Sequence, residues 1–234
     1  MNIVFLHITN PKDPKSLIPN YFVKSVKKFC EKPNIIQVTD KETKAISGVN
    51  EVVRIGGDIQ KIMVFRLNAF YELKLYKQTF YMDTDMIFIK KFKIKNVFNE
   101  DKIVLLERNF MNNAMLNVKF NDMDLTEYAG KTLGEVYPYI ACFSCVSDPM
   151  FWKDCLNNLK KLDDKFHYWY GDQEAIRNIA KSNKYKIQEV PEKIYACPPR
   201  FIDENTDACI IHFKGSQNKD LIESYFKYYK IEQL

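Results

Sequence analysis

The chain contains no apolar run approaching the roughly 20 residues that a membrane-spanning helix needs. It has only seven glycines and nine prolines in 234 residues, and no low-complexity tract, internal repeat or linker. These shortages argue against a repeat array, a disordered chain and a string of tethered modules. Charge of one sign is lacking too: 35 basic and 30 acidic residues are interspersed, for a net +5. That balance is too mild for nucleic-acid binding, and it suits anionic small substrates or a loose, peripheral affinity for a membrane surface. The amino end, Met1 to Asn10, has no basic n-region and its apolar run is broken at His7, so it reads as a first strand and not as a signal peptide. The six cysteines are then expected as free thiols in a reducing compartment, which implies a cytoplasmic protein, peripheral at most to the inner membrane face.

What is present is core. A hydrophobic content of 46%, with 14% aromatic residues, is enough for one large globular domain over residues 1–234. Strand patterns fall at Ile3–Thr9, Asn34–Thr39, Glu51–Ile55, Phe80–Ile89, Lys102–Glu107, Pro138–Val146, Lys186–Val190, Lys193–Ala196 and Cys209–Phe213. Helical spacing appears at Tyr21–Cys30, Ile59–Tyr76, Phe151–Leu162 and Asp172–Lys181, and a proline-rich turn is expected at Pro11, Pro14 and Pro19. The opening order, βαββαββ, predicts an α/β fold with a largely parallel sheet at the amino end. Residues 109–136 are polar and weakly patterned, which suggests a loop-rich segment.

Residues 79–90 carry the most information. Two carboxylates, Asp83 and Asp85, interrupt the apolar runs Phe80-Tyr81-Met82 and Met86-Ile87-Phe88-Ile89. Such a strand surfaces at the aspartates and returns to the core. Two ionised carboxylates at that depth require a positive partner, and a divalent cation that also holds phosphate oxygens meets the need. Ligands in open α/β sheets collect where strands end, which is where these residues lie. Three further segments share this character: Arg66 on the preceding helix, Gly171-Asp172-Gln173-Glu174 at a helix start, and His212-Phe213-Lys214-Gly215 after an apolar strand.

This set resembles the retaining glycosyltransferases of family 8, the glycogenin and lipopolysaccharide-galactosyltransferase type. The resemblance runs from Ile3 to about Lys219. It implies a single domain of the GT-A type, a Rossmann-like mixed sheet flanked by helices, with a nucleotide-binding half at about 1–107 and an acceptor-side half at about 108–234. It further implies a metal-dependent transfer from a nucleotide-diphosphate sugar, a UDP-sugar above all, to a saccharide, glycolipid or protein, with retention. Asp83, Asp85 and His212 match the ligands of a Mn²⁺ or Mg²⁺, and Asp85 is also placed to touch the ribose. Two hard carboxylates and an imidazole suit Mn²⁺ better than Ca²⁺.

The same resemblance assigns Thr9, Asn10 and Asp40 to base and ribose, Arg66 to the sugar or its phosphate, and Lys214, Gly215 and Lys219 to the diphosphate. Asp172 and Gln173 match the catalytic pair that faces the anomeric carbon and the acceptor. Read alone, Arg66 is equally a helix-surface arginine, Asp40 a turn cap, and Asp172 a helix N-cap. Two departures stand out. Asn218 occupies the position of the family's lysine, with Lys219 one residue later, and Ala141 and Phe143 stand where the family carries Asn-x-Gly.

Cys142 and Cys145 have no second pair with zinc spacing and read as core thiols. The run His167-Tyr168-Trp169-Tyr170 offers rings on which an acceptor sugar could stack, or a loop packed on the core. Two other functions use the same carboxylates: a phosphohydrolase of the haloacid-dehalogenase type, disfavoured by Ile87 four residues after Asp83, and a nucleotidyltransferase. A non-catalytic sugar- or nucleotide-binding module is the reading outside enzymes.

Overall fold

The structure, a computed structural model, describes residues 1–9, 16–93, 97, 99, 101–120 and 123–232. Asn10, Pro11 and Pro14 lie outside the described residues. The strands are β1 (Asn2–Leu6), β2 (Asn34–Thr39), β3 (Glu51–Arg54), β4 (Thr79–Met82), β5 (Met86–Phe88), β6 (Ile103–Glu107), β7 (Lys119–Phe120), β8 (Met123–Asp124), β9 (Tyr139–Val146), β10 (Ile187–Pro191) and β11 (Ile210–His212). Between them lie the helices α1 (Ile18–Phe29), α2 (Ile62–Glu72), α3 (Leu133–Val136), α4 (Met150–Leu159), α5 (Gly171–Lys181), α6 (Glu192–Tyr195), α7 (Ser216–Lys219) and α8 (Ile222–Tyr228).

Seven strands form one mixed sheet in the order β10-β6-β9-β4-β1-β2-β3. β3, β2, β1 and β4 are parallel, β9 runs antiparallel between β4 and β6, and β10 is parallel to β6. The amino-end strands read as unbroken apolar runs because helices cover both faces of the sheet. In β1, Val4 joins a core with α2, α4 and α5, whereas Ile3 and Phe5 point to the opposite core against α1. β4 splits the same way: Tyr81 packs among Phe70 and Trp152, and Phe80 and Met82 face the other side. Helices on both faces of a sheet with this topology make an α/β fold of the expected class.

The Asp83–Asp85 segment is not one strand. β4 ends at Met82, residues 83–85 leave the sheet, and β5 pairs antiparallel with β11 in a separate ladder, with His212 opposite Met86. Three expectations need correction. Lys193–Ala196 lies in the short helix α6 and its cap, not in a strand, because Pro191 ends β10 and the chain turns into a helical turn closed by the Ala196 N–H donating to the Glu192 carbonyl. Pro19 sits in the first turn of α1, where its missing N–H costs nothing, and not in a turn. α2 is shorter at both ends than Ile59–Tyr76, stopping before the left-handed Lys74. Among the described residues no helix is long and apolar enough to cross a membrane, and all six cysteines are unpaired.

Candidate metal centre and cleft

The carboxyl ends of β1, β2 and β4 share one edge of the sheet, and antiparallel β9 begins there. The backbone N–H of Asp83 donates to the carbonyl of Cys142 at 3.0 Å, which fixes the first residue beyond β4. Two residues on, the N–H of Phe213 donates to the Asp85 carbonyl at 2.8 Å and brings the end of β11 beside it. Residues 129 positions apart are thereby joined, since Asp83 and His212 become neighbours. One ligand atom from each of Asp83, Asp85 and His212 lies within 4.8 Å of the others.

The electrostatics of this trio are uneven. Burial raises the pKa of Asp83, with Asp85 adding to the effect, and Arg66 opposes it from 2.7 Å. Asp85 is half-buried, but His212 and Lys219 outweigh its desolvation and hold its carboxyl well below the usual range. Lys219 Nζ reaches Asp85 Oδ2 at 3.1 Å, whereas His212 Nε2 stands 3.5 Å from Oδ1. That second approach does not make a hydrogen bond, and Asp85 Oδ1 is buried with no hydrogen-bond partner. Burial opposes protonation of His212, yet Cys142 and Asp85 beside it raise its pKa well above that of a free imidazole.

A buried, unpartnered carboxylate oxygen converging with a second carboxylate and an imidazole is what a small divalent cation would complete. The residues present therefore fit a divalent cation.

A cleft of about 570 Å³ opens over this trio. Asp83, Asp85, His212, Arg66, Asp172, Gln173, Lys214, Gly215 and Lys219 all line it, together with Trp169 and Tyr170. Arg66 ties two walls: Nη2 donates to Asp83 and to the Ala141 carbonyl at 2.9 Å, and Nη1 lies 3.1 Å from Asp172 Oδ2. It is thus an internal clamp and not a surface arginine. Asp172 is not the N-cap of α5; Tyr170 is, in a left-handed conformation at φ 56°. Gly215, at φ 86°, holds a backbone that a side chain would strain, at the mouth of the cleft.

Thr9 and Asp40 stand on the same edge of the sheet but do not line this cleft. The Thr9 N–H donates to Thr43 Oγ1 at 2.9 Å, and Asp40 Oδ1 accepts from the N–H groups of Glu42 and Thr43 as a turn cap. Asn10 lies outside the described residues.

Sequence reasoning passed over Arg108. It follows β6 as Asp83 follows β4, a charged residue directly after an apolar strand, and that signal was available. Its Nε donates to the Tyr137 carbonyl at 2.9 Å and its Nη2 to Gln173 Oε1 at 3.3 Å. Also unforeseen is the network behind Gln173, in which Glu174 and Arg177 pair while buried in α5 and both reach the Tyr128 hydroxyl. It anchors the amino end of α5 to the segment before α3.

No protein-family model and no curated protein matches the chain. The chain is similar in structure to a glycosyltransferase involved in the glycosylation of the major capsid of PBCV-1, with a TM-score of 0.59 and 11% identity over 95% of this chain and 100% of that one. At this identity the likeness establishes the fold: the chain has the fold of a glycosyltransferase.

Proposed function

We propose that the protein is a metal-dependent glycosyltransferase of the family 8 type, using a nucleotide-diphosphate sugar, with UDP-sugars the first choice. The convergence of Asp83, Asp85 and His212 at the end of β4 carries this reading, because it lies on a glycosyltransferase fold and opens into a cleft of substrate size. These three residues would hold Mn²⁺ or Mg²⁺, which when bound stabilises the charge that grows on the departing nucleoside diphosphate.

The remaining roles belong to the chain itself. Lys219 and Lys214 bring compact positive charge to the phosphates, and the glycine at 215 leaves room for them to approach the backbone. Arg66 holds Asp83 and Asp172 in fixed orientation. Asp172 can then accept hydrogen bonds from sugar hydroxyls, and Gln173, its amide oriented by Arg108, faces the anomeric carbon and the acceptor. Trp169, 44% exposed at the rim, offers a ring face to the acceptor, which is a saccharide, a glycolipid or a protein. Thr9, Asn10 and Asp40 would receive the base and ribose at the neighbouring strand ends. The whole chain would act as a single domain at the cytoplasmic face of the membrane or in the cytoplasm.

The test is release of UDP from a panel of UDP-sugars, with and without Mn²⁺, for the wild type and Asp85→Asn. Turnover of at least one donor, dependent on the ion and lowered at least 100-fold by the substitution, is expected. Hydrolysis of an aryl phosphate that is lost in Asp83→Asn would identify a phosphohydrolase instead.

A further inference from the structure

A second cavity lies against the carboxyl-terminal helix α8 and shares no lining residue with the metal cleft. Its volume is about 340 Å³, and Ile202, Asp203, Ser224, Tyr225, Tyr228 and Tyr229 line it. Tyr225, Tyr228 and Tyr229 stand at i, i+3 and i+4, which puts their rings on one flank of the helix. Tyr228 and Tyr229 meet at 88°, with ring centroids 5.0 Å apart. Tyr225 is held by its hydroxyl, which donates to the Pro199 carbonyl at 3.3 Å, and by an edge contact with Phe213. Tyr228 is 77% exposed, so its ring is open to a ligand.

The charge of the cavity says what that ligand would be. Asp203 is its one charged side chain among the described residues, and it forms no ion pair there. The chain has 35 basic residues, yet none lines this cavity. The three rings lack a cation too. Phe201 and Phe226, beside cavity residues in the sequence, each have one over the ring: Arg200 at 4.6 Å and Lys24 at 5.8 Å. Among the described residues no Lys or Arg stands over Tyr225, Tyr228 or Tyr229.

Electron-rich rings and one carboxylate around a space of this size match a positive charge spread over hydrocarbon. A metal ion would require more oxygen ligands than Asp203 supplies. A neutral sugar would stack on the rings and leave the charge of Asp203 uncompensated.

We infer that this cavity binds a quaternary or methylated ammonium group of the choline type. Tyr225, Tyr228 and Tyr229 supply cation–π attraction, and Asp203 supplies the counter-charge. The site stands apart from the metal trio and does not depend on the glycosyltransferase reading.

The experiment is saturation-transfer NMR on the full chain at constant ionic strength. The ligands are choline, its neutral isostere with a tert-butyl group in place of trimethylammonium, and methyl glucoside. Wild type, Tyr228→Ala and Asp203→Asn are compared; both residues are exposed, so neither substitution removes core packing. Choline is expected to bind the wild type roughly 10-fold more tightly than the isostere, and each variant should lose most of that advantage.

Equal binding of choline and its isostere would overturn the inference, because the cavity would then be only an apolar groove. A preference for methyl glucoside would overturn it in favour of a saccharide site. So would no binding of choline to the wild type, or an advantage over the isostere that survives in both variants.

Discussion

At the scale of single residues, the account depends on Asp83 and Asp85 having different partners. Arg66 takes an oxygen of Asp83, and Asp85 keeps one buried oxygen with no hydrogen bond. Arg66 is 12% exposed at its side chain and Asp172 7%, so this is a largely buried pair; removing one member leaves a desolvated charge. Arg66→Met is expected to destabilise the fold by about 3 kcal/mol on that principle, read as a lower urea midpoint with an unchanged slope. Adding Asp172→Asn to it should recover part of the loss, because the stranded carboxylate is then gone. No recovery would mean that Arg66 contributes mainly through packing on the Phe70 ring, 5.5 Å from its guanidinium.

The aspartates were legible in the sequence because a polar pair between two apolar runs has few structural uses. Arg66 was legible as a basic residue but not as a clamp, since its partner Asp172 is 106 positions away and no local pattern links them. Arg108 gave the same local signal as Asp83, but a single charge after a strand is common and its burial is a tertiary fact.

At the scale of elements, the site depends on where α5 begins. Gly171 opens the helix in tight contact: a Cβ there would fall 1.9 Å from the Phe166 carbonyl oxygen and 2.6 Å from Leu159 Cδ1. Backbone cannot yield cheaply, so Gly171→Ala should shift the start of α5, cost about 3 kcal/mol as overpacking, and displace Asp172 and Gln173. UDP-sugar turnover should then fall further than the affinity for UDP and Mn²⁺, which other elements provide. Gly56→Ala is the control, having open space and no left-handed backbone to strain, and it should leave thermal stability and turnover unchanged. Equal behaviour of the two variants would remove α5 from the account.

Elements of the central sheet were readable where both faces are buried, as in β2, whose ends agree with the sequence pattern at Asn34 and Thr39. α6 was misread because four residues, Glu192–Tyr195, are too few to display a period. The break of the Asp83–Asp85 segment into two sheets was signalled only by the carboxylates themselves.

For the whole molecule, the decisive arrangement is that a parallel half-sheet, an inserted antiparallel strand and the separate β5–β11 ladder meet at one edge. α/β character and the parallel amino end followed from the order of strand and helix patterns. The position of β9 between β4 and β6 did not, because strand order is set by long-range pairing. That pairing places Cys142 beside Asp83, and the antiparallel β5–β11 ladder returns His212 to the same point.

If this edge is a site for a metal-bound nucleoside diphosphate, ion and nucleotide must bind as one unit. Thermal denaturation with UDP and Mn²⁺ separately and together, for the wild type and Asp85→Asn, tests this most directly. The account predicts that the pair raises the melting temperature of the wild type by more than the sum of the separate shifts, and that Asp85→Asn abolishes this excess. Additive or absent shifts in the wild type, or an excess that persists in Asp85→Asn, would contradict it.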